Sequence, residues 1–152
     1  MKKKIVFMCL ISLFLLVGCD IKKTAITSTD FNKVMSEEKF TVTNLSKDFE
    51  GTKEIKEVFI AQSPKLDYQI EYYVLDSEES ESKFYENNKN KFQKEAKNYS
   101  QVEMTGLNYE RYSQNTNTSY QVISCVEKTC IFLNVNKNKK DEVKSILEKF
   151  NY

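Results

Sequence analysis

The stretch that most restricts the fold of this 152-residue chain is the pair of segments Tyr120 to Val126 and Thr129 to Asn136, separated by Glu127-Lys128. In the second segment Ile131, Leu133 and Val135 alternate with Asn134 and Asn136, the period of a strand with a buried face. A two-residue turn sets Val126 opposite Thr129 and Cys125 opposite Cys130, with Val122 and Val126 completing the apolar face. The pair that flanks such a turn is hydrogen-bonded and the next pair is not. The cysteines therefore fall on a non-hydrogen-bonded pair, whose Cα atoms lie within disulfide range. A hairpin of this kind commits the chain to an antiparallel sheet.

The N-terminus carries a second, independent signal. Met1-Lys2-Lys3-Lys4 is basic, and Ile5 to Val17 is an apolar run of 13 residues. That is the pattern of an export signal, too short for a transmembrane helix of about 20 residues. It ends in Leu16-Val17-Gly18-Cys19, which resembles the lipobox of bacterial lipoproteins. The resemblance implies that Cys19 is diacylated on sulfur, that residues 1–18 are removed, and that the chain is held at the extracytoplasmic face of the cell membrane. Two acyl chains anchor stably where one would be marginal. Together with the abundance of Lys and Asn, the sequence looks like a small lipoprotein of a low-GC Gram-positive bacterium.

Export permits oxidation, so a Cys125–Cys130 disulfide is expected. Reduced thiols and a redox-active pair are the rival readings. The second lacks Cys-x-x-Cys spacing, a helix N-terminus and a nearby His. The chain has no His at all, which removes the commonest general base, metal ligand and nucleophile partner. No metal site, cofactor or catalytic residue is assigned. Without the three n-region lysines, 20 Lys and Arg stand against 22 Asp and Glu, about −2 net. That balance gives no reason to expect nucleic acid or anionic lipid as a partner.

Residues 1–18 are thus read as signal, 19–26 as a lipidated tether and 27–152 as one α+β domain. The cap signal at Thr27 to Asp30 opens a helix over 29–39, with Phe31, Val34 and Met35 on one face. Strands follow at 40–44, 55–62 and 68–75, with a turn at Ser63 to Asp67. Tyr68, Ile70, Tyr72 and Val74 form the likelier core side of the third strand. Asp76 and Glu79 make a capping box for a helix to about Asn98, with Phe84, Asn88, Phe92, Ala96 and Tyr99 inward. Strands at 100–106 and 107–113, an exposed Gln114–Thr118 loop and the hairpin come next. A helix over 137–152, capped by Asn138, presents Val143, Ile146, Leu147 and Phe150. The fold class is α+β, an antiparallel sheet in the order αβββαββββα with its helices packed on one face.

Nine Tyr and no Trp concentrate aromatic character in the strands. Packing explains most of them, but Tyr73, Tyr109 and Arg111, the one arginine, make a candidate binding face. The leading expectation is a non-enzymatic binding module for an envelope protein, peptide or glycan. The alternatives are a small-ligand sensor or transporter accessory subunit, and a cell-wall enzyme working through carboxylates.

Overall fold

A computed structural model describes residues 22–152; the expected export signal and the expected lipidation site Cys19 lie outside the described residues. Seven strands form one antiparallel sheet: β1 (Thr41–Asn44), β2 (Ile55–Gln62), β3 (Gln69–Leu75), β4 (Ser100–Thr105), β5 (Tyr109–Asn115), β6 (Ser119–Val126) and β7 (Thr129–Asn136). Among the described residues three α-helices accompany it, α1 (Ser28–Glu37), α2 (Glu78–Glu95) and α3 (Lys140–Phe150). The order across the sheet is β1-β2-β3-β7-β6-β5-β4. Hairpins account for every junction except β3 to β7, which joins the three-stranded first half to the four-stranded second half through α2.

At the centre, Cys125 faces Cys130 and Val126 faces Thr129, the register that the two-residue turn requires. The cysteine Cα atoms are 4.1 Å apart and the sulfurs are bonded. Both residues are fully buried, and so are Val122, Val126, Ile131 and Leu133 on the opposite face, so neither face of this hairpin is solvated.

Helices cover both sides of the sheet, a correction to the expected one-sided packing. On the first face α1 and α3 bring Phe31, Met35, Val143, Ile146, Leu147 and Phe150 onto Ile70, Tyr72, Val122, Ile131 and Leu133. The Phe31 ring stacks between Tyr72 at 5.0 Å and Phe150 at 5.7 Å. On the second face α2 lays Tyr85 and Phe92 over Leu75, Tyr112, Ile123 and the disulfide. The physical reason is the doubly apolar character of β6, which is buried without interruption from Tyr120 to Val126. Such a strand has no side suited to water.

Local chemistry explains where the helices begin and end. Thr27 and Asp30 form a reciprocal capping box, each backbone N–H donating 3.1 Å to the other's side chain. The expected cap at Asp76 moves to Ser77, whose hydroxyl accepts from Ser80 N–H at 3.2 Å. The Asp76 N–H is taken by Glu54 O at the strand end, so it is not available to Glu79 for the expected capping box. Helix α2 stops at Glu95, short of Asn98, where Ala96 turns extended; Tyr99 lies outside it and is exposed. The expected cap at Asn138 is not made: Asn136 caps a 3-10 turn over Lys137–Lys139 that leads into α3, accepting from Asn138 N–H at 3.1 Å, and Lys139 at the start of α3 makes no side-chain cap bond.

Gln114, expected in an exposed loop, is fully buried at the end of β5. Its amide donates 2.8 Å to Phe92 O and 2.6 Å to Gln121 Oε1. Phe92 O belongs to the last turn of α2, where carbonyls lack a helical partner, so Gln114 ties the helix end to the sheet.

The disulfide closes a loop of sequence separation 5, for which the chain-entropy relation gives about 2 kcal/mol. The paired Cys125→Ala, Cys130→Ala variant is expected to lose about that much in urea unfolding. It should keep the hairpin register, read from cross-strand nuclear Overhauser contacts, because Val122–Leu133 and Tyr120–Val135 pairs persist.

Candidate functional site

Strand β4 is the exposed edge of the sheet, and all six of its residues are exposed. The β4–β5 turn closes with Gly106 N–H donating 2.9 Å to Tyr109 O. From that closing pair, hydrogen-bonded pairs recur at Met104–Arg111 and Val102–Ser113. The N–H and C=O groups of Gln101, Glu103 and Thr105 consequently point away from β5, toward solvent. Natural edges are usually blunted by Lys, Pro, a bulge or shortness. The opposite edge, β1, has four residues; β4 has six in unbroken register and neither Lys nor Pro.

The side chains reinforce this. Among the described residues five large hydrophobics are exposed, and four belong to β4 or its flanks: Tyr99, Val102, Met104 and Leu107. Val102 and Met104 share the face of Arg111 and Ser113, beside Tyr120 and Lys144, where an open cleft of about 270 Å³ runs between strand and α3. On the other face Glu103 is held by Lys89 and by the Tyr85 hydroxyl at 3.2 Å, and Gln101 by Tyr112 at 2.8 Å. One face of β4 is therefore fixed by α2 and the other is bare.

The sequence-derived candidates fall elsewhere. Tyr73 lies on the α2 face, half-buried, with its ring 4.6 Å from Phe84 and its hydroxyl on Glu71. Tyr109 and Arg111 lie on the opposite face, so the three do not share one surface. Tyr109 carries the Lys23 ammonium 4.7 Å above its ring, and Arg111 donates 2.6 Å to the Tyr152 backbone oxygen. The residues that alternation overlooked are Val102 and Met104. Their signal was present as alternating apolar residues in 100–105, but sequence does not say which strand ends the sheet.

The disulfide adjoins a carboxyl, Glu81, whose proton affinity burial raises. Glu81 lies with both sulfurs inside 4.8 Å, but sulfurs bonded to each other supply no thiolates for a metal. Glu81 also lines an open cleft of about 260 Å³ with Glu78, Glu110 and Glu127, and no cation is among its described lining residues. Burial, then Glu110 and Glu78, push the Glu81 carboxyl up to about 7. Burial and Glu86 also raise Glu110. Chemically, this cleft holds a proton near neutral pH.

Comparison with family models, with curated proteins and with solved structures returns no match for this chain.

The folded state holds the Glu81 proton more tightly than the unfolded chain, whose value is 4.5 against about 7 folded. Stability should therefore fall as pH rises through that interval. Allowing for solvent screening of a half-exposed group, the loss is about 1–2 kcal/mol. Glu81→Gln should remove most of this slope in thermal melts between pH 5 and 8 and be the more stable protein at pH 8.

Proposed function

We propose that this protein is a lipid-anchored extracytoplasmic lipoprotein that acts as a non-enzymatic interaction module, accepting an extended segment of another envelope protein as an added strand on β4. The observation that carries the reading is the open edge: six residues in regular register, with outward backbone groups and an apolar face at Val102 and Met104. Strand addition draws affinity from main-chain hydrogen bonds and specificity from alternate side chains. A fitting segment carries apolar residues beside Val102 and Met104 and polar ones beside Gln101 and Glu103. The basic start, apolar run and Leu-Val-Gly-Cys of residues 1–19 support the anchor. No helix among the described residues is long and apolar enough to cross a membrane, so the lipid is the attachment this reading supplies.

A photocrosslinking residue at Val102, expressed in the native cell, tests the strand-addition reading. The expected product is an adduct with one dominant envelope protein, lost when Thr105→Pro or Glu103→Pro removes an outward N–H from the edge. Val102→Lys, at a position 57% exposed, should change stability by less than about 0.5 kcal/mol while weakening the partner's apolar contact. An adduct of twice the chain's mass would make β4 a self-association edge instead, and no reproducible adduct would refute strand addition.

A second reading, an enzyme acting on cell-wall glycan, draws on Glu81. A carboxyl that stays protonated near neutral pH, in a cleft with other carboxylates, is the type of group that serves as a general acid. Release of muropeptides by the protein, abolished by Glu81→Gln, would favour this reading over the first.

A further inference from the structure

The chain enters the fold at one end of the sheet and is fastened there. Lys23 N–H donates 3.0 Å to Asn108 Oδ1, and Asn108 Nδ2 donates 2.7 Å back to Lys23 O. The Asn108 carbonyl in turn accepts from Glu127 N–H at 2.9 Å, which joins the β4–β5 turn to the β6–β7 turn. Beyond Lys23, Ala25 and Ile26 pack on the first core face, and Ile26 O accepts from the Tyr72 hydroxyl at 2.7 Å. The stretch expected as a free tether is thus docked from Lys23 onward. Lys23 lies four positions after Cys19, a span of at most about 14 Å.

The same end of the sheet presents an exposed apolar side chain. Leu107, next to Asn108 in the β4–β5 turn, is 66% exposed. The β2–β3 turn with Leu66 lies at the opposite end, because β3 runs from it toward Val74, which pairs with Thr129 beside the β6–β7 turn. Leu66 is 73% exposed, so exposure alone does not favour either end; the short connection to Cys19 does.

We propose that the β4–β5 turn faces the bilayer, with Leu107 at the lipid interface and β4 standing along the membrane normal. The proposal rests on the reading of Cys19 as the lipidated residue. The anchor supplies the membrane binding, and the Lys23–Asn108 clamp sets which end of the sheet approaches. Leu107 and Asn108 also line the cleft of Glu78, Glu81, Glu110 and Glu127, whose carboxylates stay in water, so only the Leu107 tip enters the interface.

The chain contains no Trp, which makes single-tryptophan reporters clean. Lipidated Leu107→Trp and Leu66→Trp proteins are reconstituted into vesicles of brominated phosphatidylcholine. Trp at 107 should be quenched several-fold more than Trp at 66 and emit further to the blue. Asn108→Ala, which opens the clamp, should narrow that difference in protein whose circular dichroism and melting remain native-like. Equal quenching at the two positions, or stronger quenching at 66, would overturn the orientation. Flotation of the same samples separates the two failures. Protein that does not float with the vesicles refutes the anchor and the orientation with it, whereas floating protein with equal quenching refutes the orientation alone.

Discussion

Pairing of β6 with β7 is the interaction on which the remaining packing depends. β6 is buried on both faces, and β7 buries Cys130 on one face and Ile131, Leu133 and Val135 on the other, so water is excluded from each side only if helices arrive from two directions. The disulfide between Cys125 and Cys130 pins this register at a place where α2 and the sheet meet. A slip of one residue would exchange the two faces, moving Ile131 and Leu133 from α1 and α3 to α2. The covalent link adds modest stability because its loop is short; its larger effect is to fix which residues oppose which.

From that centre outward the sheet becomes progressively less protected. The β3 and β5 neighbours retain core residues such as Tyr72 and Tyr112, both fully buried. At β4 only the face toward α2 is held, through Glu103 and Gln101, and the other is left bare. The edge and the entry strap share one piece of backbone, the Gly106–Asn108 turn. A Cβ at Gly106 would come within 2.1 Å of the Tyr109 ring, the ring on which Lys23 rests. Local geometry therefore ties the incoming chain, the open edge and the exposed Leu107 into one end of the molecule. The proposed anchoring at Cys19 would give that end a direction.

Much of the secondary structure was legible because it rests on local period. The β2 bounds, the β6–β7 register and the Val143, Ile146, Leu147, Phe150 stripe all follow from residues a few positions apart. What stayed hidden is non-local. The side of the sheet chosen by α2 depends on a crossover that its stripe does not encode, and the burial of Gln114 depends on an orphan carbonyl at Phe92, 22 positions away. The Tyr73, Tyr109 and Arg111 grouping failed for the same kind of reason. The first belongs to β3 and the others to β5, and the strands present these residues to opposite faces. Edge status, which singles out Val102 and Met104, is a property of strand order alone.

The central claim is that β4 offers unpaired backbone groups at alternate residues. Amide hydrogen exchange, residue by residue, on the lipidated protein in nanodiscs reads this directly. The account predicts fast exchange at Gln101, Glu103 and Thr105, with slow exchange at Val102 and Met104, whose N–H groups face β5. Uniform protection along β4 in the isolated protein would contradict it, since the edge would then already be covered.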